Sequence, residues 1–175
     1  MTLEITSTLN KIFSIFCLVG LLSVATACSD KKEHSVVGMW VLTTRTVDIP
    51  FDGNQDGVAH INLLKEIDCN KEETLTFEAN GTVSSGNEFS NVLHYFKEDG
   101  TNMYKINSDC NTEGIISFAS EYRINEEDTI MISNRVYVLK ENTLTTTYKD
   151  AVEIYNEDAT EVIETKDLKL IYSRP

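Results

Sequence analysis

The sequence predicts an all-β domain of antiparallel strands, arranged as a sandwich or a barrel. From Gly38 onward, roughly ten short segments rich in Val, Ile, Thr, Tyr and Phe follow one another, with turn signals between them. Alternate residues within these segments are apolar, as a half-buried strand requires, for example Leu75, Phe77 and Ala79. The Asn80-Gly81 pair that follows is a strong signal for a hairpin turn.

The chain begins with a segment typical of a secretory signal. Residues 12–25 form an apolar run that follows Lys11 and precedes small residues. The run is shorter than the roughly 20 apolar residues of a membrane-spanning helix, so we do not expect a transmembrane segment. It ends in Ala-Thr-Ala-Cys at residues 25–28, which resembles a bacterial lipobox, whose cysteine is lipidated and becomes the mature N-terminus. The alternative is an ordinary signal peptide cleaved after Ala27.

These features predict a signal peptide at residues 1–27, a lipidated tether at 28–36 and a folded domain at 37–175. Acyl chains on Cys28 would anchor the protein to the membrane. We expect it in the outer membrane, facing the periplasm or the cell surface, as a monomer. The formal net charge of −13 argues against nucleic acid as a partner.

Two cysteines remain in the mature domain, because Cys17 belongs to the signal and Cys28 takes the lipid. Secreted proteins fold in an oxidising compartment, which predicts a disulfide between Cys69 and Cys110. Closing that loop would contribute about 4 kcal/mol in the chain-entropy account. The alternative is a pair of buried thiols.

An acidic loop after the first strand has the ligand spacing of a calcium site. Such loops take oxygen ligands from positions one, three, five and seven, which here are the side chains of Asp52, Asn54 and Asp56 and the carbonyl of Val58. Gly57 stands at position six, where these loops have a glycine. Leu63 stands where the usual bidentate carboxylate would be, and Glu66 is the nearest replacement. The alternative is a plain Asp/Gly-rich turn. We expect a structural Ca²⁺ here and no organic cofactor.

A short helix is predicted over His60–Ile67, where apolar residues have helical spacing. The three histidines of the chain, His34, His60 and His94, show no zinc-ligand spacing, and His94 alternates with apolar neighbours, as a packed or cavity-lining residue does. No phosphate loop or nucleophile elbow occurs in the sequence. We therefore expect no enzymatic activity.

The first strand begins with Gly38-Met-Trp40, which is similar to the Gly-x-Trp signature of lipocalins and other calycins. Over residues 38–86 the chain looks like the opening of bacterial lipocalin-like lipoproteins. This resemblance implies an antiparallel up-and-down β-barrel of about 8–10 strands, with one short helix after the first strand. In calycins an arginine of the last strand covers the tryptophan, and Arg174 continues the apolar face of the last strand here. The alternative is a solvated terminal arginine.

Two functions are compatible with such a domain. The barrel could carry a small apolar ligand, as lipocalins do. Alternatively, its interior could be filled with side chains, and the protein could be a non-enzymatic structural or interaction module on the cell surface.

Overall fold

A computed structural model of the chain describes residues 36–67, 72–86, 92–109, 117–125 and 128–175. These residues form ten β-strands and confirm the all-β prediction. The strands are β1 (Gly38–Thr46), β2 (Thr74–Phe77), β3 (Thr82–Gly86), β4 (Val92–Lys97), β5 (Tyr104–Asp109), β6 (Ala119–Ile124), β7 (Thr129–Ile132), β8 (Arg135–Lys140), β9 (Thr143–Tyr155) and β10 (Val162–Ser173).

Eight of these strands close an antiparallel barrel, as predicted. Their order around the wall is β10-β1-β2-β3-β6-β7-β8-β9, and the pairing of β9 with β10 completes the ring. The β4–β5 hairpin lies between β3 and β6 in the sequence but is not part of the barrel wall, in which β3 pairs directly with β6. Strand β4 instead pairs in parallel with the far end of β9, where Tyr95 lies opposite Ile154 and Phe96 opposite Tyr155.

The core follows from the alternation within the strands. In β2 and β7 every second residue is buried, because successive side chains of a strand point to opposite faces. The largest fully buried side chains are Trp40, Tyr172, Phe51, Phe77, Leu63 and Ile67. Each fully buried aliphatic or aromatic side chain contributes about 1.5–3 kcal/mol by leaving water, so this interior is the main source of stability.

The helix expected over His60–Ile67 is wrong. The structure forms only a 3-10 turn there, Leu63–Lys65, capped by the side-chain oxygen of Asn62. His60 does not begin a helix, because its carbonyl, which would accept the first helical hydrogen bond, instead accepts one of 3.1 Å from the N–H of Phe51. The helical spacing of the apolar residues is therefore overridden by strand-like pairing at its first residue.

Several predicted features lie outside the described residues, namely the apolar run at 12–25, the lipidation site Cys28, His34, and the predicted disulfide partners Cys69 and Cys110. In the part of the chain that the structure describes, no helix has the length and apolar character needed to cross a membrane.

Candidate functional site

One end of the barrel is closed by Trp40. Its ring is fully buried, and the indole N–H donates a hydrogen bond of 2.7 Å to the carbonyl of Val36. The guanidinium carbon of Arg174 lies 4.7 Å from the centre of the ring, and one of its nitrogens donates to the carbonyl of Val37 at 3.3 Å. Gly38 adopts a φ of +122° beside Arg174, a conformation that favours glycine. Gly38, Trp40 and Arg174 thus meet at this end.

The next layer of the interior is also filled. Leu42 lies opposite Tyr172, which lies opposite Leu144 on the adjoining strand. The Tyr172 hydroxyl donates to the buried carboxylate of Glu73. Burial, together with the charge of Glu73, raises the pKa of Tyr172 far above its usual range. The hydroxyl therefore stays protonated and remains a donor at any physiological pH.

Beyond this layer the barrel contains an inner cavity of about 170 Å³. Its apolar walls include Leu75, Phe118, Leu168 and Leu170, and its polar walls include Arg45, Glu73, Arg135, Tyr137, Tyr148 and Tyr172. Burial raises the pKa of Tyr137 well above its usual range, so this hydroxyl too is uncharged at neutral pH. Apolar walls with a few convergent polar groups are typical of small-molecule sites.

An outer cavity of about 350 Å³ adjoins the inner one, and the two share Arg45 and Leu168 as lining residues. The outer cavity lies between β9 and β4. Burial raises the pKa of the Tyr95 hydroxyl there, and the nearby positive charge of Arg45 opposes the rise. His94 lines this cavity as well, and its Nε2 is 3.7 Å from Asp109.

The acidic loop is held in shape by its own side chains. The Asp52 carboxylate accepts a hydrogen bond of 3.0 Å from the N–H of Gly57. Asn54 accepts one of 3.1 Å from the N–H of Asp56, and Asp56 accepts one of 2.8 Å from the N–H of Val58. These bonds draw the oxygen-bearing side chains toward the inside of one turn. Gly57 has a φ of +85°, which explains a glycine at this position.

Glu66 reaches back into this loop from beyond the 3-10 turn. Its side chain is fully buried, and its Oε2 accepts a hydrogen bond of 3.0 Å from the N–H of Gly53. Its Oε1 and the Oδ1 of Asp52 are both buried, and neither has a hydrogen-bond partner among the described residues. The Nε2 of His60 lies 3.8 Å from that Oε1. Buried carboxylate oxygens without donors are what a bound cation would satisfy.

Carboxylates by themselves do not complete a metal site here. Within the described ranges, no group of three or more His, Cys, Asp and Glu side chains could hold a metal ion. Calcium loops, however, also take oxygens from amide side chains and backbone carbonyls. Asn54 and the carbonyl of Val58 are the groups of this loop that could supply them.

The loop is packed tightly against the β4–β5 hairpin. Phe51, just before the loop, makes edge-to-face contacts with Tyr95 on β4 and Tyr104 on β5, at ring separations of 5.5 and 6.0 Å. A Cβ added to Gly53 would lie 2.5 Å from the Ile106 side chain and 2.7 Å from the Glu66 carbonyl, which explains a glycine there. The loop, the hairpin and the outer cavity therefore form one continuous region.

Comparison with protein-family models, curated proteins and solved structures found no match for this chain. The two cavity arginines, Arg45 and Arg135, were not predicted from the sequence. Alternation in β8 could have placed Arg135 on the inner face with Tyr137 and Leu139. The position of Arg45 depends on a β-bulge that has no sequence signature.

Proposed function

We propose that this protein is a lipid-anchored, non-enzymatic carrier of the bacterial outer membrane. Its lipocalin-like barrel binds one small ligand with an apolar body, and its acidic loop holds a structural calcium ion. The two adjoining cavities of about 350 and 170 Å³ are the observation that carries the ligand proposal. Together they reach the volume range typical of small-molecule sites, which is about 300–1,000 Å³.

A structural or interaction module is the alternative, and one observation favours it. Trp40, Leu42, Leu144 and Tyr172 fill the interior from the closed end, so only part of the barrel has room for a ligand. A module of this kind would bind its partner on its outer surface and would leave the cavities to water.

An uncharged apolar fluorophore distinguishes these functions. N-phenyl-1-naphthylamine should bind the mature protein saturably and gain emission as it leaves water. Leu168→Trp, at the junction of the two cavities, should fill the space and abolish binding. Val138→Trp, on the half-exposed outer side of β8, is the matched control and should bind as the wild type does. Saturable binding by neither the wild type nor the control would favour the interaction module.

The calcium proposal is supported by the acidic loop and the buried Glu66. Asp52, Asn54, Asp56, the Val58 carbonyl and Glu66 would hold the ion, which would supply positive charge to the two carboxylate oxygens that accept no hydrogen bond. Bound calcium would tie the loop to Glu66 and thereby stabilise the surface on which the β4–β5 hairpin packs.

The lipid anchor is supported by the residues before Cys28. Metabolic labelling with a fatty acid should mark the wild type and leave Cys28→Ala unmarked, and label retained on the variant would contradict lipidation.

Alkylation of the denatured, unreduced mature protein tests the disulfide, because a Cys69–Cys110 bridge leaves neither thiol to react.

A further inference from the structure

The inner cavity contains an unusual concentration of arginine. The chain has 28 acidic residues and only four arginines, at positions 45, 123, 135 and 174. Two of the four, Arg45 and Arg135, line this one cavity, whose described lining includes a single carboxyl group, that of Glu73. Positive charge is thus in excess at this point of a strongly acidic protein.

A β-bulge turns Arg45 toward the interior. Trp40 and Leu42 face inward on β1, so strict alternation would place Thr44 inside and Arg45 outside. The register with β10 shifts between Leu42 and Thr44, and Arg45 comes to lie opposite the buried Leu170. Directly opposed residues of an antiparallel pair point to the same side of the sheet. The bulge therefore redirects this side chain, as bulges beside functional sites do.

Arg135 reaches the same cavity from the other wall and is held in place there. It belongs to the inward-facing series of β8 with the buried Tyr137 and Leu139. Its guanidinium carbon is 4.8 Å from the centre of the Tyr148 ring, and one of its nitrogens donates to the Tyr148 hydroxyl at 3.1 Å. A guanidinium fixed in this way loses little side-chain entropy when an anion binds.

We propose that the ligand is a small monocarboxylic acid, with its carboxylate between Arg45 and Arg135 and its apolar body against Leu168 and Leu170. This inference rests on the proposed carrier function and names its ligand class. Arginine forms the short, often bidentate hydrogen bonds that suit a carboxylate. Glu73 already offsets part of the positive charge, which favours an anion with a single charge.

The charges of the outer cavity orient such a ligand. Asp150 and Glu153 line the outer cavity, and they would repel a carboxylate placed there. The acidic group is therefore favoured in the inner cavity. The inner cavity, at about 170 Å³, is close in volume to a cavity of roughly 150 Å³ that holds benzene. It therefore has room for a small apolar group only. A longer apolar chain would continue past Leu168 into the outer cavity.

Octanoate and octanamide provide a matched pair of probes, because they share one apolar chain and differ in charge at neutral pH. Calorimetry with the full mature protein should show octanoate binding at least about tenfold more tightly than octanamide, from charge-assisted hydrogen bonds that the amide lacks. Arg45→Gln and Arg135→Gln should each weaken octanoate binding by about tenfold and leave octanamide binding unchanged.

Arg123→Gln is the matched control, because it removes the same charge from an exposed site on β6 that does not line this cavity. It should bind octanoate as the wild type does. Arg135→Gln keeps the test valid if Arg45→Gln fails to fold, since Arg135 is exposed at the barrel end. Equal binding of the acid and the amide would overturn this inference but leave the carrier function in place. Binding of neither probe by the wild type would contradict the carrier function itself.

Discussion

The two ends of the barrel are built from the same strands but contain different interiors. At one end, β1 and β10 bring Trp40 beneath Arg174, and the next layer is packed with Leu42, Leu144 and Tyr172. A few residues further along these strands, the interior contains arginine and tyrosine side chains and open space. The difference is between a packed end, whose apolar side chains hold the wall together, and an open end that retains polar groups.

The largest effect is expected at the closed end. Trp40→Ala removes the largest fully buried side chain and leaves a cavity, which should lower the free energy of unfolding by about 3–5 kcal/mol. Urea denaturation of the mature protein measures this change. Met39→Ala, at the half-exposed neighbouring position, is the control and should change stability by less than about 1 kcal/mol. A loss of similar size in the two variants would mean that the closed end does not dominate stability.

Calcium should act at the open end, through the loop that packs on the β4–β5 hairpin. With a dissociation constant of about 10⁻⁴–10⁻³ M, a tenfold excess of calcium would add roughly 1.4 kcal/mol of stability and raise the melting temperature by a few degrees. Glu66→Gln should weaken this gain, and Asp56→Ala should abolish it. Glu161→Gln, an exposed acid outside the loop, should leave it intact.

Hydrogen exchange would locate the calcium effect. Protection should increase in β5 and in the 52–57 loop, and amides around Trp40 should change little. An unchanged melting temperature together with undetectable binding by calorimetry would show that the acidic loop is only a turn.

The smallest effects come from one arginine at each end. Arg174→Ala removes the cation from the face of Trp40 and should cost about 0.5–1 kcal/mol. Arg135→Ala should cost no more than about 0.5 kcal/mol, because the Tyr148 ring under its guanidinium is only partly buried, whereas Trp40 is fully buried. Urea titrations of the two variants, run beside the wild type, measure both. A larger loss for Arg135 than for Arg174 would reverse the assignment of the two ends.

Local patterns predicted the closed end in some detail. Two-residue alternation assigned the inner faces of the strands. The calycin resemblance singled out Trp40 and implied an arginine of the last strand over it. Alternation put Arg174 on the apolar face of β10, with a solvated terminal arginine as the alternative. The assignment of inner faces succeeds because side-chain direction in a regular strand depends on residue parity alone.

The open end depends on interactions between distant segments. The helical spacing of residues 60–67 was misleading, because the bridge between Phe51 and His60 takes up the His60 carbonyl that a helix starting there would use. The inward turn of Arg45 depends on a register shift against β10, more than 120 residues away along the chain. Neither the bridge nor the bulge has a local signature.

The amino-acid sequence was therefore sufficient for the strand content, the inner faces of the strands and the oxygen spacing of the 52–57 loop, since each depends on residues close together in the chain. Folding in three dimensions decided that Glu66 is buried against that loop, that the β4–β5 hairpin pairs with β9, and that Arg45 and Arg135 face one cavity. Each of these outcomes follows from the register in which separate strands pair, and register is chosen by the packing of the whole barrel.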